Sequence, residues 1–165
     1  MKLKNIALLI VGIAVFSFTL YAGDVTVDPA GGGDHTTIRA AINNTSVTTG
    51  DTIWLVDAVF SASGNSGIDF NGKAITVRSI SDTPENCIII CGNDLAGFIF
   101  HNGETPTSAV RSITIRYDGN TTGGGIYCYN ASSPKIENCI IQGSKWEYGG
   151  GIFCDYSAPI ITNCI

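Results

Sequence analysis

Gly123-Gly124-Gly125-Ile126-Tyr127-Cys128 returns as Gly149-Gly150-Gly151-Ile152-Phe153-Cys154, 26 residues later. Ile136-Glu137-Asn138-Cys139-Ile140 returns as Ile161-Thr162-Asn163-Cys164-Ile165, 25 residues later. The one-residue difference falls between Tyr129 and Pro134, in an Asn-Ala-Ser-Ser turn. A length change confined to a turn is what a stack of like units tolerates. Weaker copies lie upstream. Gly67-Ile68-Asp69-Phe70-Asn71 and Gly97-Phe98-Ile99-Phe100-His101 share the pattern of Gly, two residues, then an aromatic. The rungs start near Gly67, Gly97, Gly124 and Gly150.

Aligned copies predict columns of side chains. Phe70, Phe100, Tyr127 and Phe153 form one expected inward aromatic column. Ile75, Ile113, Ile136 and Ile161 form a second, because Ile75-Thr76-Val77-Arg78 and Ile113-Thr114-Ile115-Arg116 are near copies. Glu85-Asn86-Cys87-Ile88-Ile89 also returns, as Glu137-Asn138-Cys139-Ile140-Ile141. Each repeat holds two or three short apolar runs separated by Gly, Asn, Ser, Pro or Asp, which are strand and turn signals. No window beyond Gly50 holds a helical period long enough for a helix. Repeats of about 25 residues with several short strands read as a parallel β-helix, with like side chains stacked one strand spacing apart, ~4.8 Å. Such a stack needs a cover at its first coil. Residues 23–50 read as that cap: Val25-Thr26-Val27 as an edge strand and a short helix within Thr36–Asn44, capped by Thr36 or Thr37, laying Ile38, Ala41 and Ile42 over the coil. Residues 51–165 read as the repeats. The last repeat stops at Ile165, where the preceding copy runs on to Trp146, so the sequence reads as truncated, with further repeats or domains of the same protein downstream.

Composition agrees. The 165 residues suit one domain. Charged residues are 14% and hydrophobic ones 44%, which excludes a disordered chain and a helical bundle with charged outer faces. With 9 Lys or Arg against 14 Asp or Glu, the chain lacks the basic footprint of a nucleic-acid binder. Lys2 and Lys4 precede an uncharged apolar run from Ile6 to Leu20, and Tyr21-Ala22-Gly23 follows. That is the pattern of a secretory signal over residues 1–22, and the run is shorter than the ~20 residues of a spanning helix. The mature chain then keeps 7 basic and 14 acidic residues, net −7, with no membrane span. The expected setting is secreted, extracellular or at the outer cell surface.

These features resemble the right-handed parallel β-helix repeat proteins of the pectate-lyase-like superfamily. The Gly-Gly-Gly-Ile-aromatic-Cys and Pro-x-Ile-x-Asn-Cys-Ile pattern at 123–140 and 149–165 is similar to repeats of large secreted bacterial surface proteins. Thr37-Ile38-Arg39-Ala40-Ala41-Ile42 with Gly50-Asp51-Thr52-Ile53 is similar to the segment that opens many β-helix proteins. The resemblance implies an all-β, right-handed solenoid with a short N-terminal capping helix and an extracellular setting. It does not imply catalysis.

A polysaccharide lyase would need a basic residue beside cation-binding carboxylates on adjacent coils. The alignable carboxylates do not stack: Glu137 falls over Thr162, and Asp155 over Tyr129. Arg78 and Arg116 have no evident acidic cluster. No catalytic residue, metal or cofactor is assigned, and the rival reading is a polysaccharide lyase or hydrolase whose cleft lies in other coils. His101, Cys128 and Cys154 fall in one aligned column that could hold Zn²⁺ or Cu⁺, though without a fourth ligand. Of the six cysteines, Cys128/Cys154 and Cys139/Cys164 stack one coil apart, either as disulfides or as a ladder of packed thiols, and a Cys87–Cys91 bridge is a further option. Trp146, Glu147, Tyr148 and Asp155 form the candidate carbohydrate-binding set: aromatics stack on sugar rings and carboxylates accept hydroxyl hydrogen bonds. The function expected is non-catalytic, structural or adhesive, with polysaccharide or cell-surface glycan as partner.

Overall fold

The computed structural model describes residues 23–92, 95–118, 123–145 and 150–165. The signal sequence expected at 1–22 and the Trp146-Glu147-Tyr148 segment lie outside the described residues.

An edge strand β1 (Val25–Val27) and a helix α1 (Ile38–Asn43) come first. Short strands then follow in threes. The first circuit is β2 (Thr52–Leu55), β3 (Val59–Phe60) and β4 (Ile68–Asp69). The second is β5 (Thr76–Ser79), β6 (Ile88–Cys91) and β7 (Phe98–Phe100). The third is β8 (Ala109–Arg111), β9 (Thr114–Tyr117) and β10 (Ile126–Cys128). The fourth is β11 (Lys135–Glu137), β12 (Ile140–Gln142) and β13 (Ile152–Cys154), and β14 (Ile160–Thr162) starts another. Each strand pairs with its copy one circuit on, giving a first sheet β1-β2-β5-β8-β11-β14, a second β3-β6-β9-β12 and a third β4-β7-β10-β13. Every ladder is parallel. The chain is an all-β parallel solenoid, as the repeats predict.

The cap also forms as expected. Thr37 Oγ1 accepts from Ala40 N at 3.2 Å, so Thr37 is the N-cap of α1. Ile38, Ala41 and Ile42 are buried beneath it. Lys73 Nζ, from the first circuit, reaches the carbonyls of Ile42, Asn44 and Val47 at 2.5, 3.0 and 2.8 Å. These carbonyls lie at the end of α1 and in its exit loop, where Asn44 O also accepts from Val47 N at 3.1 Å.

Two predicted columns are corrected by the register. On the first sheet the inward column is Val25, Ile53, Val77, Val110, Ile136 and Ile161. Ile75 precedes β5, and Ile113 stands at the corner leading into the second sheet. Thus Thr76-Val77-Arg78 lies on the first sheet and Thr114-Ile115-Arg116 on the second. The reason is connector length. Residues 80–87 separate β5 from β6, whereas only 112–113 separate β8 from β9. A four-residue alternating strand fits either face, so the copies alone do not say which.

The aromatic column splits. Ile126 pairs with Phe98, which sets Gly125, not Gly124, level with Gly97. That one-residue shift turns side chains to the opposite face. Phe70, Phe100, Cys128 and Cys154 share the inward column, while Asp69, Ile99, Tyr127 and Phe153 share the outward one. Phe70, Phe98 and Phe100 are fully buried, and the Phe70 ring lies 6.0 and 4.8 Å from those of Phe98 and Phe100. Gly125 must be glycine: a Cβ there would run into Gly151 O and Ile141 Cγ2 of the next coil. Close approach of stacked coils therefore accounts for part of the glycine run.

Sharp corners join the first sheet to the second. Ser112, Asn138 and Asn163 occupy the equivalent position on three coils, with φ of 57°, 53° and 53°. Asn tolerates this left-handed backbone better than most residues. Asn138 Nδ2 donates to Ser112 Oγ at 3.1 Å, which ties this corner to the one on the coil below.

Candidate functional site

The corner where the third sheet turns toward the first collects one polar or aromatic side chain per coil. Each comes immediately after a strand of the third sheet. In-register pairing stacks Asn71, His101, Tyr129 and Asp155. Backbone bonds continue the ladder through this position: Tyr129 N donates to Phe100 O at 3.0 Å, and Asp155 N to Cys128 O at 2.9 Å. His101 Nε2 lies 2.7 Å from Asp69 Oδ2, and its ring centroid is 5.1 Å from that of Tyr129. Asp69 Oδ1 accepts from Asn71 N at 2.7 Å and from Asn102 Nδ2 at 3.1 Å. Beneath the corner, Glu104 is 3% exposed and anchors it. Its carboxylate accepts from Gly72 N at 3.1 Å and Asn102 N at 2.9 Å. The corner is thus preorganised by bonds between coils.

Beside the corner lies the outward column of the third sheet. Tyr127 and Phe153 are half-buried there, with ring centroids 6.1 Å apart and planes at 80°. Burial pushes the Tyr127 hydroxyl up to about 12. Asp155, expected to contact sugar, is exposed at the top of the corner ladder. Trp146, Glu147 and Tyr148, its expected companions, lie outside the described residues. Sequence reasoning missed Asp69, His101 and Tyr129 as a group and turned Tyr127 and Phe153 inward. The signal was the polar or aromatic residue following each third-sheet strand, visible once Gly125 is set level with Gly97.

A second polar surface covers the outer face of the first sheet. Its outward column reads Thr26, Trp54, Arg78, Arg111, Glu137 and Thr162. The Arg78 guanidinium carbon lies 4.7 Å from the Trp54 ring centroid. Arg78 pairs with Asp82, which also lies 3.7 Å from Arg111 Nε. Glu137 lies 2.9 Å from Lys135 Nζ and 3.8 Å from Arg111 Nε. Burial works against the charged form of Asp82. Hydrogen bonds from Ser112 and Arg78, with the charges of Arg78 and Arg111, outweigh it and hold the carboxyl below its ordinary range. The Lys135 hydrogen bond, aided by Arg111, does the same for Glu137. Arg78 and Arg116, read from the sequence as having no evident acidic cluster, each have a carboxylate partner: the connector 80–87 folds Asp82 back onto Arg78, and Asp118 lies 3.1 Å from Arg116 Nε. Glu137 does fall over Thr162, as aligned.

The expected column of His101, Cys128 and Cys154 comes apart. Cys128 and Cys154 are paired residues, but Phe100 stands below Cys128, and His101 turns to Asp69 one step along the chain. Among the described residues no three His, Cys, Asp or Glu side chains gather as a metal site. All six cysteines are free thiols, and the ladder pairs Cys128/Cys154 and Cys139/Cys164 do stack. Among the described residues no helix is long and apolar enough to cross a membrane. No family model, curated protein or solved structure matches the chain.

Proposed function

We propose that the chain is a non-catalytic, extracellular or cell-surface segment of a right-handed, pectate-lyase-like β-helix, structural and adhesive in role, that binds polysaccharide or cell-surface glycan along the corner of Asp69, His101, Tyr129 and Asp155. The stacked corner carries this reading. It offers hydrogen-bonding groups at ~4.8 Å intervals beside an outward aromatic pair, and a pyranose chain repeats at a similar step. Amides and carboxylates suit sugar hydroxyls, and ring faces suit the apolar faces of pyranoses. The basic, apolar and small-residue succession over residues 1–22 supports export. Trp146, Glu147 and Tyr148, which precede β13 in the sequence, are the further candidate sugar contacts of this proposal.

The test is titration of the chain with neutral and acidic oligosaccharides of graded length, followed by tryptophan fluorescence and calorimetry. Affinity should rise with length up to the number of coils spanned and fall about tenfold in Tyr129→Ala. Equal affinity for mono- and oligosaccharides, or none for any, would sink the corner reading. An enzymatic reading has one observation in its favour, the Arg78, Arg111, Lys135, Asp82 and Glu137 cluster on one parallel sheet. Both carboxylates there are already held by basic side chains. Release of unsaturated or reducing ends from a uronate polymer, lost in Arg111→Ala, would favour it instead.

A further inference from the structure

Four of the six cysteines stand in two vertical pairs, one joining the third circuit to the fourth and the other joining the fourth to the turn that β14 starts. Cys128 and Cys154 face each other in β10 and β13, and their thiols are in contact. Cys139 and Cys164 follow the corner residues Asn138 and Asn163, and Ile165 N donates to Cys139 O at 3.0 Å, fixing one above the other. Their sulfurs have matching surroundings. Cys139 Sγ donates to Glu137 O at 3.3 Å and Val110 O at 3.8 Å, and Cys164 Sγ to Thr162 O at 3.3 Å and Ile136 O at 3.7 Å. In each pair one thiol is buried, Cys128 or Cys139, and its partner reaches solvent. The remaining two, Cys87 and Cys91, are fully buried, with no cysteine level with them on the next coil, where Ile113 and Tyr117 stand.

We propose that Cys128–Cys154 and Cys139–Cys164 are two redox-labile disulfide sites that staple the stretch from β13 through β14 to the chain one circuit earlier. Neighbouring strands set paired Cα atoms ~4.8 Å apart, within bridging range. Their Cβ bonds run side by side, so closing the bridge strains it and leaves it readily reduced. The reaction is exchange with a disulfide donor such as oxidised glutathione. The Cys164 thiolate attacks one donor sulfur and expels a donor thiolate. Cys139, losing its proton, then attacks Cys164 Sγ and expels the second donor thiolate. Two thiols become one disulfide while one donor disulfide becomes two thiols. The neighbouring Cys139 thiol holds Cys164 below the ordinary thiol range, at about 6, whereas burial raises Cys154 and pushes Cys128 to about 12. Cys164, half-buried beside the buried Cys139, is therefore the attacking thiol of its pair. A groove of about 260 Å³, lined by Asp82, Asn138, Cys139 and Asn163 among others, opens at this corner.

The test equilibrates the folded chain with oxidised or reduced glutathione, blocks free thiols and maps the peptides by mass spectrometry. The oxidised sample should contain these two bridges, with Cys87 and Cys91 still free. Proteolysis within residues 150–165 should slow by at least about tenfold and recover on reduction. Cys164→Ser should keep the Cys128–Cys154 bridge, and Cys154→Ser the other. Six free thiols after oxidation, any other pairing, or bridges that leave proteolysis unchanged would each overturn the proposal.

Discussion

Arg111 lies level with Arg78 in adjacent parallel strands, and Asp82 pairs with both. Two guanidinium groups one strand spacing apart repel, and the corner residue Asp82 offsets that repulsion from the side. Its carboxylate also accepts from Ser112 Oγ at 2.9 Å, so it joins the second coil to the third. Asp82→Asn keeps the shape and removes the charge. Because Asp82 is 49% exposed, solvent screens the pair, and the expected loss is about 0.5–1 kcal/mol rather than the several of a buried pair. The folded state depresses the carboxyls of Asp82 and Glu137, so their stabilising effect is present above the unfolded values, about 3.9 and 4.3. It is lost as pH falls through the lower folded values. Urea denaturation of wild type and Asp82→Asn should differ at pH 7 and converge near pH 2.

The sequence alignment sets Phe100 and Phe153 in one column, but the register puts them one position apart and on opposite faces of the third sheet. Phe100 is fully buried between Phe70 and Phe98, so Phe100→Ala opens a cavity in the core. The expected cost is about 3–5 kcal/mol. Phe153 is outward and half-buried, and Phe153→Ala loses only part of its contact with Tyr127, about 1 kcal/mol. Chemical denaturation of the two variants compares them. Equal losses would restore the single inward column that the repeat suggests.

That difference marks what the sequence can and cannot carry. The glycine-to-cysteine repeat made the stacking, the parallel pairing and the Cys128–Cys154 match legible, because stacked positions demand like side chains. The cap was legible too, since Thr37, Ile38 and Ile42 follow helix-start and period rules. Register was not legible across Gly124-Gly125, because a run of glycines slides along a neighbour without penalty in the alignment. Connector length hid the rest. The long turn 80–87 moved Ile113 off the column expected for it, and with it hid Arg111 above Arg78. The Asp69–His101 contact lies 32 residues apart in the chain, beyond any local pattern.

Gly125 tests the close approach of coils. A Cβ there meets the Gly151 carbonyl and the Ile141 side chain, neither of which can retreat without spreading the two coils. Gly125→Ala should cost more than about 2 kcal/mol, within the range of overpacking. Gly92→Ala is the control, because among the described residues nothing lies within 4 Å of its added carbon. It should change stability by less than about 0.5 kcal/mol. Thermal unfolding of both variants decides the point, and a tolerated Gly125→Ala would mean that the coils part more easily than their packing implies.

Lys73 ties the cap to the first coil through three carbonyls, from Ile42, Asn44 and Val47. Its ammonium has three donors, and all three are used. Lys73→Met keeps the stem packed and removes the donors, leaving part-buried carbonyls to find water. Charge-assisted hydrogen bonds contribute about 1.5–3 kcal/mol each when intact, but solvent can reach this site, so the total loss should be nearer 2–3 kcal/mol. The damage should be local. Hydrogen exchange should speed up in α1 and in residues 44–50, while amides of β9 and β10, two coils away, keep their protection. Uniform loss of protection would mean that the cap and the coils unfold as one unit. Unchanged exchange in α1 would mean that Ile38, Ala41 and Ile42 hold the helix without help from Lys73.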